Sequence, residues 1–211
     1  MRKFIIILMA LSNIALSQTV TVGNKLAIKH GDLVLYPSND TLPMASRHAI
    51  KFSKFRLDSD RDDKWFQDRY KKVSKAAYKG TGYDLGHLTP AHITSYDDSL
   101  NYNSFSLYNQ APQLARFNRG SWKRLESAVE DSILKYKKDA VVITGVIYDT
   151  APKYLGNSKI KIPSHYFKCV FVGSHKWCWI GSNDSSGEIR TISLQELNAI
   201  FEKKKSGLKI R

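Results

Sequence analysis

The sequence predicts a mixed α+β domain, on three observations. Its 211 residues are enough for one ordinary core, and no repeat, heptad or Pro/Gly/Ser linker divides them. Strand-like and helix-like segments alternate, but without the regular spacing of βαβ units. The two plainest segments are of opposite type. Residues 140–148 carry the β-branched density of a buried strand, and residues 119–137 carry the 3.6-residue period of a helix.

Along the chain, residues 1–17 have the layout of a secretory signal peptide: Arg2 and Lys3, an apolar run over 4–16, then Ala15-Leu16-Ser17 before Gln18. The run is 13 residues long and includes Ser12 and Asn13. A bilayer needs about 20 apolar residues, so cleavage after about Ser17 is expected rather than anchoring. That leaves residues 18–211 as a single domain, secreted or periplasmic. Residues 18–23 read as a loose start, and 33–36 and 49–57 as strands. The charged stretch 58–79, with Trp65, Phe66 and Tyr70, reads as a loop with some helix. Residues 88–93 are expected to carry a short strand. In the helix over 119–137, Leu125, Val129, Ile133 and Tyr136 recur on one face, and lysines crowd the last turn, where they suit the macrodipole. Ser193-Leu194-Gln195-Glu196 is a capping-box pattern that opens a last helix through Leu197, Ile200 and Phe201.

The only two cysteines, Cys169 and Cys178, flank a hairpin centred on Gly173-Ser174. That centre sets them opposite each other, so a cross-strand disulfide is one reading and two buried thiols the other. Two cysteines are too few for a cysteine zinc site.

The formal net charge is +14. Such an excess suits nucleic acid, anionic lipid or acidic polysaccharide and says nothing about fold. No segment after the leader is apolar enough to span a membrane.

The chemistry concentrates between Tyr83 and Glu126. Hydrolysis of a phosphodiester needs a base, positive charge on the phosphate and a proton for the leaving oxygen, and a metal ion supplies charge and an acidified water together. His87 is the candidate base, since imidazole titrates near neutral pH. Asn118 and Glu126 offer hard oxygen ligands of the kind Mg²⁺ takes. On an ideal helix they would lie roughly 80° apart, on neighbouring sides of one face. Taken alone, Asn118 reads more readily as an N-cap and Glu126 as a solvated carboxylate beside Lys123. His92 lacks the further ligands of a zinc site and reads as structural or at the substrate edge. His30, His48, His165 and His175 read as structural. Trp65, Trp122, Trp177 and Trp179 read as packing residues, with Trp122 anchoring the helix.

In order and spacing, Asp84-Leu85-Gly86-His87, then Asn109-Gln110-Ala111-Pro112-Gln113, then Asn118 with Trp122 and Glu126, resemble the DNA/RNA non-specific endonuclease family. Ile162-Pro163-Ser164-His165-Tyr166-Phe167-Lys168 is similar to that family's later strand entry. The resemblance implies a ββα-metal fold, with a mixed or antiparallel sheet and flanking helices. In it His87 activates water, Asn118 holds one Mg²⁺ (Mn²⁺ being the alternative ion), and Glu126 holds a water of the metal's shell. Asn109 positions His87 or the phosphate. The implied cut leaves a 5′-phosphate and a 3′-hydroxyl, on DNA or RNA, with low sequence specificity because phosphate contacts carry no base information. Arg61 resembles the family's upstream arginine. Leu85 stands where the family has Arg, so a charge-assisted phosphate contact is missing. Arg116, Arg119 and Lys123 are the candidate substrate-binding residues, and Arg124 is a further substitute for the lost charge. Leu85 also motivates the alternative of a nucleic-acid-binding protein that keeps the fold with weakened or lost catalysis.

Overall fold

The structure is a computed structural model, and it describes residues 14–22, 27–37, 43–55 and 75–211. Arg61, Trp65 and most of the 58–79 stretch lie outside the described residues, as do residues 1–13 of the expected leader.

Ala140–Ile147 is the spine of the molecule. All eight of its residues are buried, because β-branched side chains fill both faces of a covered strand. Pro43–Ile50 and His165–Val172 pair with it on either side. The sheet extends outward through Leu33–Pro37 and Ile28–His30 on one flank, and through His175–Ser182 and Ile189–Thr191 on the other. Every pairing in this seven-stranded sheet is antiparallel.

One face of the sheet packs Phe167, Cys169, Phe171, Val141 and Ile143 against Leu197 and Phe201 of the last helix, Leu194–Lys203. The Ser193 hydroxyl accepts from the Glu196 amide at 3.0 Å, so the expected cap is present. The other face carries Val142, Val170 and Val172 under Val129 and Ile133 of the long helix Lys123–Tyr136. It also carries Val146 and Tyr166 under Trp122, Phe117 and Leu88. The described candidates His87, Asn118 and Glu126 lie in the segments that pack on this second face.

The hairpin behaves as its sequence predicts. Gly173 takes the left-handed conformation (φ +58°) that a two-residue turn requires. Cys169 pairs with Cys178 in register, and the two form a disulfide across the strands.

Three strand expectations are corrected. The strand expected at 49–57 is Pro43–Ile50, and Lys51 onward turns away. Its small and polar residues Ala45, Ser46, His48 and Ala49 have little strand propensity, and they are buried because the strand is paired on both sides. The strand expected at 88–93 ends instead at His87, and Ala91–Thr94 is a helical turn with Pro90 just before it. Pro90 fixes φ and lacks an N–H, so it ends strand pairing and suits a helix start. The start expected to be loose contains Val20–Val22, paired with Leu208–Ile210 from the far end of the chain.

Candidate active site

Tyr83–His87 pairs antiparallel with Gln110–Leu114 in a separate two-stranded ribbon, which leads into the helical segment that begins at Ala115. This ribbon-then-helix unit brings the three motif segments together. Gly86 is required by close packing: a Cβ there would sit 2.2 Å from Oε1 and 2.5 Å from Cβ of the buried Gln113, which crosses it. The Gly and Gln of two separate motifs are thus two halves of one contact.

His87 ends its strand half-buried, with its ring edge-on to Phe105, centroids 5.3 Å apart. Asn109 lies behind it, fully buried. The Asn109 side chain accepts from the Thr89 amide at 3.0 Å and donates to the carbonyls of Thr89 and Ser104, both at 2.7 Å. Its own carbonyl accepts from the Leu88 amide at 2.8 Å. Asn109 therefore clamps the chain just after His87 and does not reach the cleft.

The helix differs from the ideal one. Asn118–Trp122 forms a wider π turn, and Gly120 leaves helical dihedrals (φ −103°, ψ −107°). The 80° separation derived for an ideal helix does not apply across this turn, and π turns of this kind occur often at functional sites. Asn118 itself has helical dihedrals (φ −55°, ψ −54°), so it is not an N-cap. Its Nδ2 donates to Asp84 at 2.9 Å, which leaves Oδ1 as the end of the amide suited to a cation. Arg119 binds the same carboxylate through Nε at 2.9 Å and Nη2 at 2.6 Å. Burial pushes the Asp84 carboxyl up, but hydrogen bonds from Arg119 and Asn118 outweigh it and hold the group below the usual carboxylate range.

Glu126 is not the solvated carboxylate that its neighbour Lys123 permits. Its side chain is 18% exposed, and burial raises its pKa against the opposing pull of Lys168. The Lys168 side chain is 1% exposed. Its ammonium lies 3.8 Å from Glu126 Oε1, donates to Thr144 Oγ1 at 2.7 Å and sits 5.1 Å over the Trp122 ring. It also reaches the Leu88 carbonyl at 3.5 Å, beside His87. Sequence reasoning missed both Asp84, which lines the cleft, and Lys168, which stands behind Glu126. Lys168 did carry a signal, as a lone lysine in the apolar strand Tyr-Phe-Lys-Cys-Val.

His87, Asn118 and Glu126 line one cleft of about 860 Å³, with Asp84, Leu85, His92, Glu130, Arg119, Lys123 and Lys75 around it. Arg116 is exposed and is not among the lining residues, and Arg124 lines only an adjoining hollow beyond Arg119 and Lys123. Among the described residues no three His, Cys, Asp or Glu side chains form a metal cage. The donors at hand, an amide oxygen and a carboxylate, fit a hard divalent ion that keeps several waters.

The family model described as DNA/RNA non-specific endonuclease matches residues 12–207. The chain belongs to that family. Among its relatives, human mitochondrial endonuclease G is 27% identical over 138 residues, covering 58% of this chain and 46% of that protein. A nuclease of Nostoc sp. is 27% identical over 117 residues, covering 56% of this chain and 42% of that protein. The chain thus spans under half the length of these relatives. A solved structure of an EndoG/EndoGI complex matches with a TM-score of 0.71 at 20% identity, covering 88% of this chain and 85% of that one. The likeness extends the α+β, ββα-metal fold to this member.

Proposed function

We propose that residues 18–211 form an exported, Mg²⁺-dependent endonuclease that hydrolyses phosphodiester bonds of DNA and RNA, with Mn²⁺ able to replace Mg²⁺. The observation that carries this reading is the convergence of His87 with Asn118 and Glu126, from separate segments, on one cleft. His87 accepts the proton of the attacking water, and Asn109 and Phe105 keep its strand end and ring in place. Asn118 Oδ1 would hold the ion directly and the Glu126 carboxylate a water of its shell; the ion would supply positive charge to the phosphate and acidify a water. Lys123 and Lys75 line the same cleft and face the incoming polyanion, with Arg119 oriented by Asp84. Export is supported by the disulfide, which persists in oxidising compartments. Among the described residues no helix is long and apolar enough to cross a membrane.

The test is digestion of plasmid DNA and of RNA in parallel. Cleavage is expected with Mg²⁺ and none with EDTA. His87→Ala is expected to lower the rate at least about 10³-fold with unchanged circular dichroism, within the range for loss of a general base. A folded His87→Ala protein that still cuts at the wild-type rate overturns the assignment.

One observation favours a second reading, a binding protein with a weakened site. Leu85 packs against the apolar cluster of Tyr78, Leu155 and Ile160, where it offers no phosphate contact. Leu85→Arg separates the two readings. A large gain of cleavage indicates a crippled site, and little change indicates that Arg119 or Lys123 already serves.

A further inference from the structure

The cleft contains a second imidazole that the reaction above leaves without a task. His92, in the turn Ala91–Thr94, places Nδ1 3.1 Å from both carboxylate oxygens of Glu130. Glu130 follows Glu126 by one helical turn, on the same side of the long helix. The carboxylate side chain is 12% exposed and the imidazole 49% exposed, and both line the cleft with His87, Asn118 and Glu126. A carboxylate only accepts hydrogen bonds, so Nδ1 carries the proton between them. Nε2 is then the ring nitrogen available to substrate. A histidine oriented by a largely buried carboxylate is a recurring proton-transfer device, because the carboxylate fixes the tautomer and stabilises the imidazolium.

We propose that His92 is a second catalytic residue that delivers the proton to the leaving O3′ oxygen, with Glu130 as its positioning residue. This rests on the phosphodiesterase reading of the same cleft. In the step, a water oxygen bonds to phosphorus while its proton passes to His87. The P–O3′ bond breaks, its electron pair stays on O3′, and the Nε2 proton of His92 passes to that oxygen. One strand then ends in a 5′-phosphate and the other in a 3′-hydroxyl. Solvent removes the proton from His87 and returns one to His92, so the net change is the addition of one water. Among the described residues, the other charged groups that line this cleft are Asp84, Glu126, Arg119, Lys123 and Lys75.

The experiment compares two oligonucleotides that differ at one linkage, one with the natural O3′ and the other with a bridging sulfur at that position. A thiolate leaves without being protonated. His92→Asn keeps an amide N–H for Glu130 and removes the Nε2 proton. With Mg²⁺ it is expected to slow cleavage at the natural linkage about 10²-fold, as loss of a general acid does, and at the sulfur linkage by less than about threefold. Glu130→Gln is expected to show the same selectivity with a smaller loss, and it decides the matter if circular dichroism shows His92→Asn to be unfolded. Equal losses at both linkages, or none at the natural one, overturn the proposal and leave His92 as a clasp between two helices. Wild-type protein that cuts neither linkage with Mg²⁺ or Mn²⁺ overturns the nuclease reading itself.

Discussion

Lys168 shows how much one buried side chain can organise. Its ammonium touches groups from the base-side turn (Leu88), the central strand (Thr144) and the long helix (Glu126). Burial pushes its pKa down and that of Glu126 up, each against the attraction of the other. Removing one member of such a pair leaves the other charge buried and unpartnered, at a cost of about 3–5 kcal/mol, whereas removing both is often nearly neutral. Lys168→Met is therefore expected to be strongly destabilised. Lys168→Met combined with Glu126→Gln should be destabilised by well under the sum of the two single changes, as read from urea midpoints. Additivity within about 0.5 kcal/mol would show that the two groups act independently. Asp84 works in a similar way nearer the surface: one carboxylate orients both the Asn118 amide and the Arg119 guanidinium.

Among the elements, the ribbon Tyr83–His87 with Gln110–Leu114 is held by shape as well as by pairing. Gln113 lies across Gly86 so closely that no side chain fits beneath it. Gly86→Ala is expected to destabilise the protein by about 1–3 kcal/mol through overpacking, measured as a lower urea midpoint. A second change, Gln113→Ala, should restore only part of the loss, because the Gln113 Cβ itself would lie 2.5 Å from the new methyl group. Full restoration would show that the clash is with the amide alone. The long helix was visible in outline, since Val129 and Ile133 are buried as its period requires. The π turn at Asn118–Trp122 was not. Nothing in Asn-Arg-Gly-Ser-Trp demands the wider turn locally, and its side chains are placed by the packing of Phe117 and Trp122 on Tyr166.

At the scale of the whole molecule, the central sheet separates two jobs. The face with the disulfide and the last helix supplies core, and the other face supplies the cleft. The net charge of +14 favours a polyanion over the entire surface, whereas Lys75, Arg119 and Lys123 line the cleft itself and in the proposed reaction would contact the strand being cut. Binding of a DNA duplex is expected to fall steeply with salt. Lys123→Ala should flatten the plot of log K against log [salt] by roughly one unit of slope, the amount expected for one lost phosphate contact. Lys209→Ala, on the edge strand Leu208–Ile210 next to the disulfide-bearing face, should leave the slope unchanged. Equal effects from the two substitutions would mean that the substrate is held by diffuse charge and has no defined track past Lys123.

The chain by itself determined whatever depends on local pattern or fixed spacing. This includes the α+β class, the buried strand Ala140–Ile147, the capped last helix, the register that sets Cys169 opposite Cys178, and His87, Asn118 and Glu126 as candidates that share one cleft. Only the tertiary structure decided which groups share the cleft and which stand behind it. It withdrew Asn109 into a clamp, left Arg116 outside, set Lys168 behind Glu126, and brought Asp84 and the His92–Glu130 pair into the cleft. It also made a strand of Pro43–Ile50 despite that segment's weak propensity. The reason is physical: periodicity and turn chemistry act over a few residues. Desolvation, ion pairing and two-sided strand pairing depend instead on neighbours tens of residues away.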